Sequence, residues 1–128
     1  MQINDLTLFR EQCYVNGQWS SSDNGLTFDV YNPADGSMLG KVPRMAQSET
    51  ARAIDAAALA LPIWSSKTAK ERSIILRRWY ELILENQSDL ATIITAEMGK
   101  PIAESLDEIA YGASFIEWFA EESKRIYG

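Results

Sequence analysis

Few side chains in this chain are equipped for chemistry, and three carry the argument: Cys13, Glu97 and Glu108. A cysteine thiolate is a nucleophile, and a carboxylate can serve as a base or as a cation ligand. No histidine occurs among the 128 residues, which removes the commonest general base and the commonest metal ligand. Serine–histidine and cysteine–histidine catalysis are therefore excluded within the chain. Cys13 lies in a strand-like stretch beside Tyr14 and Val15, with neither a histidine nor a glycine-rich helix start next to it to stabilise a thiolate, so it reads as a structural thiol. Glu97 falls at the end of a predicted helix, where the C-terminal dipole disfavours negative charge. Either a compensating cation lies close by or the carboxylate is simply solvated. Glu108 shares a face with Tyr111, and a solvated carboxylate is the plainer reading there. Neither G-x-G-x-x-G nor G-x-x-x-x-G-K-[ST] occurs, and the seven glycines are isolated turn and cap positions; no phosphate cradle can be drawn.

The elements that must position these residues divide at about residue 45. Residues 1–45 are strand-like. Cys13 to Val15 and Gln18 to Ser20 flank Asn16-Gly17, a dipeptide that takes the positive φ values of a type I′ turn, which predicts a tight hairpin. A second pair, Thr27 to Tyr31 and Met38 to Val42, is joined by Asn32-Pro33-Ala34-Asp35-Gly36, where proline sets φ and glycine supplies a left-handed exit. Residues 46–128 are helical. Ser48 is expected to cap an alanine-rich helix that Pro62 closes. Thr68-Ala-Lys-Glu71 is a capping box opening a helix to about Asn86. Its Ile74, Ile75, Leu76, Trp79, Tyr80, Leu82, Ile83 and Leu84 cover more than one face, so burial on several sides is expected. A third helix, about Ser88 to Met98, ends at Gly99, and Pro101 is expected at the N1 position of a last helix running to Gly128, roughly 40 Å long at about 1.5 Å per residue.

That last helix has two apolar faces. At 100° per residue, Ile102, Leu106, Ile109, Ala110, Ala113, Ile116 and Ala120 fall on one stripe, and Tyr111, Phe115, Trp118 and Phe119 fall roughly opposite. An ordinary surface helix has one such stripe. The second implies either exposed or locally packed aromatic surface or a partner lying outside this chain. The expected fold is α+β and mainly α, with four helices and small N-terminal β-hairpins.

Composition narrows the function classes. At 46% hydrophobic and 23% charged, the chain is in the range of an ordinary globular domain. The net charge of -6 is uneven, with eight acids against three bases in residues 88–128. No basic stripe competes, which disfavours nucleic acid. No run of 18 or more apolar residues and no secretory leader is visible, so neither a membrane partner nor export is expected. The single cysteine forbids an internal disulfide and fits a reducing cytoplasm. Four tryptophans and five tyrosines suggest large buried interfaces.

Five segments, in order, carry a resemblance: Tyr14-Val15-Asn16-Gly17-Gln18-Trp19, then Asn32-Pro33-Ala34-Asp35-Gly36, then Ala58-Leu59-Ala60-Leu61-Pro62-Ile63-Trp64, then Lys70-Glu71-Arg72 with Leu76, then Glu97-Met98-Gly99-Lys100-Pro101. In order and spacing they resemble the N-terminal signatures of the aldehyde dehydrogenase superfamily. The ending, Phe115 to Glu122 and Lys124 to Gly128, is most similar to the bacterial NADP-type succinate-semialdehyde dehydrogenases. The resemblance spans residues 13–128.

It implies a several-hundred-residue enzyme that oxidises an aldehyde through a thiohemiacetal on a cysteine. Hydride passes to NAD or NADP, and a glutamate activates the water that hydrolyses the thioester. In that family the catalytic cysteine, the base and the cofactor-binding units come later than the helix ending here. No catalytic or cofactor-binding residue carries over, Cys13 matches no catalytic position, and no cofactor is expected on this chain alone. Two assignments do carry over from the resemblance. Glu97, with the backbone carbonyls of Val30 and Tyr31, matches positions around a monovalent-cation site in some members. The last helix resembles one lining the aldehyde tunnel, which would place Glu108, Tyr111 and Phe115 near substrate.

The leading expectation is thus the N-terminal segment of an NAD(P)-dependent succinate-semialdehyde dehydrogenase, inactive alone, whose parent takes a small-molecule aldehyde and forms a homo-oligomer; self-association of the chain through its apolar helix faces is the variant of that expectation. Alternatives are a betaine-type or glutarate-semialdehyde dehydrogenase, or a freestanding helical interaction module acting through its exposed apolar face.

Overall fold

The computed structural model describes residues 1–125. Two separate antiparallel hairpins precede four helices, the mainly α, mixed arrangement that the periodicities predict. The first hairpin pairs β1 (Cys13–Val15) with β2 (Gln18–Ser20) in the register Cys13 to Ser20 and Val15 to Gln18. Its turn residues Asn16 and Gly17 have φ of 51° and 77°, the left-handed pair a type I′ turn requires. The second pairs β3 (Thr27–Tyr31) with β4 (Met38–Pro43), and an irregularity between Val30 and Tyr31 shifts the register. Asn32 closes the intervening turn by accepting the Gly36 amide on its carbonyl and the Ala34 amide on its side chain.

The helices are α1 (Gln47–Ser65), α2 (Ala69–Glu85), α3 (Gln87–Met98) and α4 (Ile102–Glu122). Thr68 and Glu71 form the expected reciprocal cap of α2: the Glu71 amide donates to Thr68 Oγ1 at 3.3 Å and the Thr68 amide to Glu71 Oε2 at 2.7 Å. Gly99 ends α3 at φ 75°, its amide donating to the Thr95 carbonyl at 2.9 Å. Helices α2 and α4 run antiparallel, as two pairings along their length and a third from Gln87, the first residue of α3, establish. Ser123 Oγ reaches the Ala69 carbonyl at 3.5 Å, Arg77 pairs with Glu117 at 2.9 Å, and the Gln87 side chain donates to the Leu106 carbonyl at 3.0 Å. Helix α3 meets α4 through the Thr95 and Ser105 hydroxyls, 2.8 Å apart.

Several expectations are corrected. Ser48 does not cap α1; the cap is Ala46 and the helix begins at Gln47, two residues earlier than a Ser48 cap would place it. The Glu49 carboxylate accepts the Ala46 amide at 3.1 Å and so supplies the one half of a capping box that needs no hydroxyl at the N-cap. Pro62 does not close α1 but sits in its last turns. It removes a single N–H, and the carbonyl thereby freed belongs to Ala58, which is exposed to water. Pro101 is the N-cap of α4 rather than its first residue, and α4 ends at Glu122, about 32 Å from its start at about 1.5 Å per residue. The expected continuation through residues 126–128 lies outside the described residues.

The aliphatic stripe of α4 points inward through Leu106, Ile109, Ala113, Ile116 and Ala120, joined by the fully buried Ser105, whereas Ile102 and Ala110 are exposed. The multi-sided burial expected of α2 is absent within the described residues. Ile74, Ile75, Trp79, Leu82 and Leu84 are exposed, because α4 and α3 cover only one side of that helix. None of the four tryptophans is buried. Helix α1 packs sparsely on everything else, leaving Ile54, Leu59, Leu61 and Ile63 in water.

Candidate functional site

Glu97 sits in the last turn of α3, exposed, and forms no ion pair among the described residues. The compensating cation expected there is engaged elsewhere, since the Lys100 ammonium, three residues on, pairs with Glu108. One turn of helix separates Glu108 from Tyr111, so the carboxylate reaches back across the helix start to Lys100 instead of standing free in solvent.

The β3–β4 turn lies against this corner. A Cβ added to Gly99 would come within 2.9 Å of Pro33 Cγ, so the α3 terminus and the Asn32–Gly36 turn approach closely. Only glycine both allows that contact and holds φ at 75°. Immediately before the turn, the register shift between Val30 and Tyr31 interrupts the ladder. The residue this leaves out of pairing is Leu39 on β4, between Met38 and Gly40, while Val30 and Tyr31 both keep strand partners. Carbonyl oxygens with one carboxylate form a hard-oxygen donor set of the kind a small, non-redox cation takes. No cluster of three or more histidine, cysteine, aspartate or glutamate side chains occurs among the described residues, which leaves carbonyls to supply most of any coordination.

Of the residues assigned to an aldehyde tunnel, two come together and one does not. The Tyr111 and Phe115 rings meet edge to face, 4.9 Å between centroids and 84° between planes. Phe115 continues along α4 into a concavity of about 620 Å³ lined also by Ser114, Trp118, Phe119 and Glu122. Neither Glu108 nor Tyr111 lines it. Tyr111 is 66% exposed and Trp118 61%, so the aromatic face is open. Cys13 lies far along the chain on β1, half-buried, its carbonyl accepting the Ser20 hydroxyl at 3.2 Å.

Sequence reasoning passed over two buried carboxylates that organise the scaffold. Glu49 accepts the Asp23 amide at 3.1 Å, the Ala46 amide and the Ser48 hydroxyl, and these donors, the Asp23 amide foremost, pull its carboxyl from 4.5 down to about 2. Asp89 accepts the Asn4 and Asp5 amides and the Asn4 side chain, and is likewise held below the usual carboxylate value, the Asn4 amide being the main cause. A sequence shows an acid in a first helical turn in each case; partners 26 and 85 positions away leave no local pattern.

The aldehyde dehydrogenase family model matches residues 19–128. The chain belongs to the aldehyde dehydrogenase family. It is 62% identical to glutarate-semialdehyde dehydrogenase of Pseudomonas putida and 58% identical to the NADP+ succinate-semialdehyde dehydrogenase GabD of Escherichia coli, over its whole length in both cases and over 27% of each relative. Among solved structures, an Escherichia coli NADP-dependent enzyme superposes on 98% of the chain with a TM-score of 0.96 at 57% identity. A succinate-semialdehyde dehydrogenase from Burkholderia pseudomallei gives 0.96 at 55% identity over the whole chain, which covers 27% of that structure. This member of the aldehyde dehydrogenase family thus spans about a quarter of the length of the curated relatives it matches. No helix among its described residues is long and apolar enough to cross a membrane.

Proposed function

We propose that the chain serves as the N-terminal segment of an NAD(P)-dependent enzyme that oxidises succinate semialdehyde to succinate, with residues 1–45 and 46–128 together forming one incomplete part of it. The observation that carries this reading is end-to-end identity with semialdehyde dehydrogenases of which the chain covers only about a quarter. The large apolar residues left in water on α1, α2 and α4 support it, since faces of that kind need cover. In this reading α4 presents Phe115 and Tyr111 toward the aldehyde path with Glu108 held by Lys100, and Glu97 with the Val30 and Tyr31 carbonyls holds a monovalent cation. The parent enzyme is a cytoplasmic homo-oligomer.

The chemistry itself requires a thiolate facing a bound nicotinamide, and neither a second cysteine nor a phosphate-binding glycine loop exists in these 128 residues. The isolated chain is therefore inactive. Material whose intact mass matches 14.4 kDa is expected to give no reduction of NADP+ with succinate semialdehyde. Clear turnover by such material would overturn the proposal.

Glutarate semialdehyde is the second substrate reading, favoured by the 62% identity to the Pseudomonas putida enzyme. The two aldehydes differ by one methylene, a difference worth about 1–3 kcal/mol in an apolar pocket. The ratio of kcat/KM for the two substrates, measured on an enzyme carrying this segment, decides between them.

A further inference from the structure

Residues 4–11 cross the outside of the molecule and touch three elements that barely touch one another. At one end, Asp89 on α3 accepts the Asn4 amide at 3.0 Å, the Asn4 side-chain amide at 2.9 Å and the Asp5 amide at 2.8 Å. Asp5 then turns the chain through a single 3-10 turn, Leu6–Leu8, by accepting the Thr7 amide and hydroxyl. Next, the Arg10 guanidinium lies 5.0 Å from the centre of the Trp19 ring on β2. At the far end, Glu11 Oε1 accepts the Lys41 amide of β4 at 2.6 Å. The segment passes so close to β4 there that a Cβ on Gly40 would stand 2.8 Å from Glu11 Oε1 and 3.2 Å from the Phe9 ring. Direct packing between hairpins and helices is otherwise sparse.

We infer that residues 4–11 are a strap that fixes the β3–β4 hairpin against α3, with Asp89 as the clasp on the helix and Glu11 as the clasp on the strand. The two carboxylates act at opposite ends of one short tether. Each therefore limits the freedom of the other's partner, and loss of either raises the chain entropy that the remaining clasp must overcome. Glu11 also occupies the free edge of β4, where an unpaired amide would otherwise face water or a neighbouring strand. Lys41 lies opposite Asp29 and Gly40 opposite Val30, so the strap sets where the irregular Val30–Tyr31 stretch stands relative to the end of α3. The strap holds irrespective of what, if anything, binds at that stretch.

Amide hydrogen exchange resolves the coupling. In Asp89→Asn, whose amide presents a donor to donors, the Asn4 and Asp5 amides are expected to exchange about tenfold faster, and the distant Lys41 amide faster as well, while amides in the middle of α2 and α4 keep their rates. Freed Asn4 and Asp5 amides with an unaltered Lys41 amide would show two independent contacts and end the strap reading. If Asp89→Asn loosens every amide, Glu11→Ala on the exposed end, which removes the acceptor altogether, decides. Faster exchange at Asn4 and Asp5 in that variant supports the strap, and unchanged exchange there overturns it.

Discussion

The two faces of α4 place opposite residue types at the same helical spacing. On the inner face, the positions that meet α2 and α3 most closely are Ser105, Ala113 and Ala120, each essentially without exposure, with Leu106, Ile109 and Ile116 half-buried around them. On the outer face stand Tyr111, Phe115, Trp118 and Phe119, all exposed. The large side chains, which carry most of the hydrophobic free energy available on burial, thus lie outside. The small ones let two helices approach closely but release little apolar area each. In this segment, helix-to-helix geometry is decided by small residues and hydroxyl contacts such as Thr95 to Ser105, and the greater part of its burial capacity remains unspent.

The strongest way to break that contrast is to enlarge the inner face. Ala120→Leu places an isobutyl group where Ala120 has no exposed area, between a helix and its antiparallel neighbour. Overpacking of this sort costs about 1–3 kcal/mol, and urea unfolding should show the midpoint falling by a corresponding amount. An unchanged midpoint would mean the α2–α4 contact is loose.

Gly99→Ala tests the corner that feeds α4 into that contact. A left-handed conformation costs an L-residue about 1–2 kcal/mol, and here the new Cβ also meets Pro33 at 2.9 Å. Loss of stability is expected together with chemical-shift changes in the Asn32–Gly36 turn, which strain at φ alone would not produce.

How much of this was legible beforehand follows from the range of each cause. The Asn16-Gly17 turn, the Thr68–Glu71 cap and the Gly99 stop are local, each determined by residues within four positions, and each is found where its residues stand. Ser48 and Pro62 misled because local rules admit substitutes: Glu49 caps without a hydroxyl partner at Ala46, and a helix tolerates the loss of one N–H near its end. The two-faced periodicity of α4 was readable, but its consequence was not, since a pattern of apolar residues does not say which stripe its own chain covers. Of the candidate site, the sequence showed Glu97 and Glu108 as separate acids. That Lys100 serves Glu108, and that Pro33 seats on Gly99, depends on contacts 8 and 66 positions apart.

The cap of α2 offers a smaller perturbation. Thr68→Ala removes the hydroxyl that accepts the Glu71 amide and should cost about 1 kcal/mol. Because Ser123 reaches the Ala69 carbonyl, fraying of this turn should also appear at the end of α4, and exchange confined to residues 68–72 would argue that the two helix ends are uncoupled.

Acid tests the loop clasp at Glu49. Its carboxyl is held at about 2 against an ordinary 4.5, chiefly by the Asp23 amide. A depressed pKa means the ionised form is the one the fold prefers, so the stabilising contribution is complete above about 4.5 and is lost as the pH falls toward about 2. The Glu49 carboxyl resonance should titrate in that low range, with the Asp23 amide resonance following it. A midpoint near 4.5 would show the clasp open in solution.

The smallest effect is expected where the largest side chains are. Trp118→Ser removes an indole that is 61% exposed and touches α4's solvent side, so stability of the isolated chain should stay within about 0.5 kcal/mol, as for other surface positions. The same substitution removes much of the apolar wall of the concavity beside Phe115 and Phe119, and self-association of the chain, followed by sedimentation, should weaken. In an enzyme that carries this segment and covers the aromatic face, the identical change becomes a core truncation, for which about 3–5 kcal/mol is typical. The difference between those two costs measures how far the outer face of α4 is surface in one setting and interior in the other. Equal small costs in both would leave the aromatic stripe as ordinary exposed surface, and the contrast between the two faces would then reflect packing geometry alone.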